Sequence, residues 1–302
     1  MFVLKNNMEQ SLEKIYSFLR GLNNKYKKYI QIIKAFVTVG FVAYILLHID
    51  PHALVETFFD IDIRFFSLTL FVTFLTTLFY NLRYLDILDR FTIWVTFWRL
   101  YLINRLANLL NFFLPGGLGQ EVGRLLYIQG KKKVFISSII DRFVGLVSVV
   151  VTLLVSLYFV RIPLVYSAII VLVGLFLAIV FIYGSRKLKL RLYKALFFSV
   201  IYTFLLVVMA FFQFRTVGLE VDFPQLLFFV SMVNIALMLP ISIQGYGLRE
   251  YLWFIFLAIP IESVLAYTLI GYVINLALSL PGLLILFEKK DDKSTPSGKY
   301  SS

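Results

Sequence analysis

Residues 98–128 read WRLYLINRLANLLNFFLPGGLGQEVGRLLYI, and this stretch decides the fold. It is apolar enough to enter a bilayer, yet Pro115, Gly116, Gly117 and Gly119 break it midway, and Glu121 and Arg124 follow at once. Inside a helix Gly costs about 1 kcal/mol and Pro about 3 kcal/mol. An Arg at a lipid-facing helix centre adds roughly 2.5–3.5 kcal/mol or more. A single lipid-exposed helix would not carry all of these. A helix–break–helix hairpin would, provided the break sits among other helices or lines a wet cavity. The pattern recurs at 224–259, PQLLFFVSMVNIALMLPISIQGYGLREYLWFIFLAI, where Pro240, Gly245 and Gly247 form the break and Arg249 and Glu250 follow.

The rest of the chain supplies a setting for two such hairpins. It has 302 residues, of which 60% are hydrophobic and 15% charged. A soluble domain has about 45–50% apolar and about 25% charged residues. Together with a mean hydropathy of +0.87, this excludes an ordinary soluble enzyme, a disordered chain or a nucleic-acid-binding domain. A bilayer-spanning helix needs roughly 20 apolar residues. Candidate spans are 30–49, 65–82, 135–160, 162–184, 193–214 and 262–287, so the expected fold is all-α, with six transmembrane helices and two re-entrant hairpins. The start has no compact apolar core with a small-residue cleavage site, so no signal peptide is expected.

Basic residues set the expected path. The net charge is +12. Lys5 to Lys28, the Lys131–Lys133 run, the Arg186–Lys194 cluster and the tail lysines Lys289, Lys290, Lys293 and Lys299 are dense. Arg83 and Arg90 also count as connecting-segment charges in this reading. The linker after the first span is acidic instead, with Asp50, Glu56, Asp60 and Asp62. If both hairpins return to the side they leave, the dense clusters share one face. The positive-inside rule then places both termini in the cytoplasm of a cell-membrane protein. The chain divides into a cytoplasmic N-terminal segment (1–29), a membrane domain (30–287) and a disordered cytoplasmic tail (288–302). Residues 11–22 put Leu12, Ile15, Phe18, Leu19 and Leu22 on one helical face, which suits an interfacial helix or a solvated tail equally.

The order of elements repeats. Span, hairpin and span occupy 65–160 and again 193–287, with one span between them. An odd crossing between the units makes the second enter from the opposite face. Such inverted repeats are an architecture of secondary transporters.

Both breaks carry candidate ligand groups. In the first, the half-helix after the glycines would present free N–H groups and a positive dipole end to an anion, with Arg124 one turn further in and Glu121 able to neutralise it. In the second, Ser242 and Gln244 offer neutral hydrogen bonds, and Arg249 offers a planar fork suited to phosphate. Glu250 stands beside it. Asp141 and Arg142 form a third charged pair inside the third span. Each pair could instead be a structural lock between helices. Asn104, Arg105, Asn108 and Asn111 share one face of the first half-helix, which marks a helix–helix seam or a cavity wall.

Other chemistry is scarce. The chain has no Cys and only two His, which removes thiolate zinc sites and disulfides. His48, Asp50 and His52 lack the ligand count for a metal site. No metal, no cofactor and no catalytic residue is expected. An enzyme is the less favoured class, because no stretch here is long enough for a soluble catalytic domain.

NRLANLLNFFLPGGLGQEVGR, then Asp141-Arg142, LPISIQGYGLRE and the late LSLPGLL resemble the lysylphosphatidylglycerol synthase transmembrane-region family. Its stand-alone members are called flippase-like domain proteins. The resemblance covers about residues 30–287. In larger members this domain resembles a lipid flippase fused to a cytoplasmic aminoacyl transferase or glycosyltransferase. It implies motif roles for Pro115, Gly119, Glu121, Arg124, Asp141, Arg142, Gly245, Gly247, Arg249 and Glu250. It does not carry the substrate or the synthase activity over.

The expected function is that of a flippase or transporter for an anionic lipid headgroup, whether of a phospholipid, an aminoacyl-phospholipid or a polyprenyl or glycolipid phosphate. Rival readings are a membrane-embedded lipid-modifying transferase and a non-catalytic partner of one. Expected partners are membrane lipids, with a separate lipid synthase or glycosyltransferase as a further candidate. Homo-oligomerisation stays open, and nucleic acid is not expected.

Overall fold

A computed structural model describes residues 52, 56, 60–113, 118–160, 163–187, 191–238 and 247–287. The candidate span 30–49, the amphipathic stretch 11–22 and the tail 288–302 lie outside these residues. All regular structure among the described residues is helical, as the long apolar runs require.

The order is α1 (Ile63–Arg90), α2 (Phe97–Phe113), α3 (Leu118–Tyr127), α4 (Lys131–Ser156), α5 (Leu164–Lys187), α6 (Tyr193–Thr216), α7 (Phe223–Met238), α8 (Leu248–Leu257) and α9 (Ile261–Ser279). A 3-10 segment, Leu280–Leu286, continues α9. Five stretches are long and apolar enough to cross a membrane: Ile63–Arg90, Lys131–Ser156, Val165–Arg186, Tyr193–Thr216 and Ile261–Leu286. The shorter α2, α3, α7 and α8 flank the two predicted breaks.

The central pair is α1 with α6, the most extensive helix contact in the bundle. The two run antiparallel. Asp62 N–H donates to the Thr216 carbonyl at 3.1 Å, while far along α1 the Arg83 guanidinium reaches Ser199 at 3.1 Å. Hydroxyls join α4 to this pair: Ser199 donates to Ser148 at 2.7 Å, and Ser148 lies 2.9 Å from Thr203. Small polar residues let apolar helices approach closely where lipid gives no hydrophobic drive.

Each predicted break separates two packed half-helices. The α2–α3 pair is antiparallel and tight, because α3 has glycine where it meets α2. A Cβ on Gly119 would overlap the Asn111 backbone nitrogen, and one on Gly123 would stand 2.6 Å from the Ala107 methyl. The Asn111 amide oxygen accepts the Gln120 N–H at 3.2 Å, which caps the start of α3. The packing crosses between halves of the chain: α4 lies on α7, while α9 and the 3-10 segment lie on α2. LSLPGLL owes its glycine to this contact, since a Cβ on Gly282 would collide with the α2 backbone at Arg105 and Leu106.

One boundary differs from the sequence reading. The second span does not stop at 82; α1 continues to Arg90 and carries Arg83 into the bundle, where it is buried. Arg83 is therefore not a rim charge. Helix α5 shows the opposite extreme. Its Tyr166, Phe176, Ile179 and Tyr183 all face outward, which suits lipid as the surrounding solvent.

Candidate functional site

Two polar constellations lie inside the bundle. The first is an ionic knot behind the first hairpin. Asp141 on α4 accepts from Arg83 Nε at 2.7 Å and from Arg124 Nη1 at 3.5 Å. Arg124, on α3, also donates to the Asn104 amide oxygen at 2.9 Å and to the Tyr80 hydroxyl at 2.5 Å. Its guanidinium lies 3.6 Å from the centre of the Tyr84 ring. Asn104 in turn donates to Asn81 at 2.7 Å. All three charged groups are buried. Such a network holds only when its donors are satisfied, and Arg124 has partners on α1, α2 and α4.

Glu121 does not pair with Arg124. It forms a short ion pair with Arg142, whose side chain is largely exposed. Asp141 and Arg142 adjoin in sequence but face different ways, because successive residues on a helix point about 100° apart. Asp141 turns in to the knot and Arg142 turns out to Glu121.

The second constellation is a cavity of about 250 Å³ between the hairpins. Helix α1 lines it with Thr73, Thr76 and Thr77, α6 with Tyr202, and α9 with Asn275. The first hairpin contributes Arg105, Asn108 and Gln120; the second contributes Asn234, Arg249 and Trp253. Thr73, Thr76 and Thr77 donate to the carbonyls one turn back at 2.7, 2.6 and 3.0 Å. Their remaining capacity is acceptor only.

Two guanidiniums reach this cavity. Arg105 is 3% exposed, and its Nε and Nη1 have no hydrogen-bond partner among the described residues. Its aromatic neighbour is Tyr101, with the ring centre at 5.7 Å. Arg249 donates over a long 3.4 Å to Glu250 and stands 4.8 Å from the Tyr272 ring centre, and its Nε has no partner among the described residues. Glu250 is buried, and one of its oxygens has no partner among the described residues. No acidic side chain lines the cavity among the described residues. With two guanidiniums and no acid along its described lining, the cavity is electrostatically prepared for an anion.

Of the residues singled out by sequence, Arg249 lines this cavity, with Glu250 beside it. Arg124 and Asp141 belong to the knot, and Glu121 with Arg142 to the outer pair. Ser242, Gln244, Gly245 and Pro240, like Pro115, Gly116 and Gly117, lie outside the described residues, as do His48 and Asp50. Sequence reasoning had no separate role for Arg105. Its signal was there: a cation within an apolar half-helix with no acid three or four residues away on either side.

Tyr80 joins the two constellations, since its hydroxyl accepts from Arg124 and donates to Gln120 at 3.0 Å. Tyr80→Phe is expected to cost about 1–2 kcal/mol through the lost bond to a buried cation. Thermal unfolding of the purified full chain checks this, and a variant melting like wild type would refute the coupling.

The sequence profile of the lysylphosphatidylglycerol synthase TM region matches residues 31–192, more than half of the chain. The chain belongs to this family of multi-pass membrane proteins. No curated protein and no solved structure matches it.

Proposed function

We propose that this protein is a transporter of the cell membrane that moves an anionic lipid headgroup between leaflets. The observation that carries the reading is the cavity between the two hairpins, which Arg105 and Arg249 line from opposite hairpins with no lining carboxylate among the described residues. In this reading the headgroup binds there while the acyl chains stay in the bilayer, and membrane lipids are the partners.

The architecture supports movement of the site between faces. In this reading the chain holds six spans, and the hairpins are re-entrant. The units α1–α4 and α6–α9 are inverted repeats about an axis near the α1–α6 pair. That relation exchanges α4-on-α7 with α9-on-α2, the crossed packing noted above. Rocking of one unit against the other would expose the midplane cavity alternately. The basic clusters favour both termini in the cytoplasm.

The test is exchange of labelled anionic lipids between leaflets of proteoliposomes containing the full chain. Wild type should catalyse exchange, and Arg249→Ala should lower the rate about tenfold or more through loss of a charge-assisted phosphate contact. Equal exchange by both across a broad lipid panel would sink the reading.

A further inference from the structure

We infer that the cavity selects a phosphoryl group carrying an uncharged, hydroxylated substituent and rejects headgroups that bear an ammonium. The inference takes the lipid source of the ligand from the transport reading, but its selectivity stands on the cavity's own groups.

The strong donors are segregated. Arg105 and Arg249 stand on opposite hairpins, and both line the cavity. A phosphoryl group held between them would be attracted by both cations and would link the two hairpins. The wall from α1 is of the other kind. Thr73, Thr76 and Thr77 already donate to backbone carbonyls and can only accept. Asn234 and Asn275 each commit one N–H to a carbonyl at 2.8 Å, which leaves each an amide oxygen to accept and a second N–H to donate. Ligand hydroxyls match such a wall.

An ammonium would find neutral acceptors too, but no compensating charge. It would enter a low-dielectric space beside two guanidiniums. The carboxylate in contact with Arg249, that of Glu250, offers one oxygen to it and does not line the space. Like-charge placement of this kind suppresses wrong partners strongly. The volume, about 250 Å³, falls just under the range of about 300–1,000 Å³ usual for small-ligand pockets. It therefore suits a headgroup rather than acyl chains.

Binding can be read separately from transport. Trp253 lines the cavity, while Trp94 and Trp98 are exposed, so the purified full chain reports occupancy by fluorescence, with Trp253→Phe as the blank. The probes are dihexanoyl phosphatidylglycerol, dihexanoyl phosphatidylethanolamine, the lysyl ester of the first, and free glycerol 3-phosphate. Wild type is expected to bind the phosphatidylglycerol about tenfold or more tighter than either ammonium-bearing probe, and Arg105→Gln should level that preference. Equal or tighter binding of the ammonium-bearing probes by wild type overturns the inference, whether or not the variant folds. An unchanged preference in folded Arg105→Gln also overturns it. Selective binding without leaflet exchange would refute transport and leave the selectivity standing. Exchange at equal rates for all three lipids would do the reverse. If glycerol 3-phosphate binds as tightly as the lipid, the site keeps its chemistry but its ligand comes from solution.

Discussion

Asp141→Asn is expected to destabilise the folded chain by about 3–5 kcal/mol, the cost of removing one partner from a buried ionic group. The carboxylate stands between Arg83 at 2.7 Å and Arg124 at 3.5 Å, and all three side chains are 5% exposed or less. The substitution keeps the shape and removes the carboxylate that both guanidiniums share. Two buried cations would then repel without compensation. Arg83→Gln in the Asp141→Asn background removes one of them and should restore some of the loss. Glu121→Gln is the control. Its partner Arg142 is 63% exposed, so the change strands no deeply buried cation and should cost clearly less than Asp141→Asn. Thermal unfolding of each full-length variant in one detergent orders them. If Asp141→Asn melts with Glu121→Gln, the knot does not hold the first hairpin.

How far the sequence disclosed this arrangement depends on the question. The breaks were legible, because Pro115, Gly119, Pro240 and Gly247 and their flanking charges interrupt otherwise apolar runs, and a membrane permits few structures there. The choice of ion partners was not. Glu121 and Arg124 are three apart on one short helix, and Asp141 and Arg142 are adjacent, so spacing suggested local pairs. The fold takes one residue from each pair inward and sends the other outward, a choice made by which neighbouring helix each face meets. Arg83 was hidden differently: the helix continues past the apolar run, and residues 83–90 looked like a connecting segment because Arg83, Asp86, Asp89 and Arg90 interrupt the apolar pattern, although only Arg83 of the four is buried. Arg105 shared a polar face with three asparagines, and one-dimensional spacing cannot distinguish a seam from a cavity wall. The structure divides that face: Asn104 joins the knot, whereas Arg105 and Asn108 line the cavity.

Gly282→Ala should have the other large effect, because it acts on the support of that wall. A methyl at 282 would overlap the Leu106 backbone nitrogen and stand 2.5 Å from the Arg105 carbonyl carbon. Neither atom can rotate away, so either the 3-10 segment or α2 must move. Overpacking costs about 1–3 kcal/mol, and a backbone-against-backbone clash belongs near the upper end. The displaced peptide carries Arg105, so binding of an anionic headgroup should weaken along with stability. Gly184→Ala separates this from any general effect of replacing glycine in a helix. Among the described residues nothing lies within 4 Å of a Cβ at 184, and the exchange there should be neutral or stabilising by up to about 1 kcal/mol. Melting temperatures and Trp253 titrations of the two variants make the comparison. Wild-type melting and binding in Gly282→Ala would mean that α2 has slack at this contact, and that the position of Arg105 is set by the knot through Asn104 rather than by the end of α9.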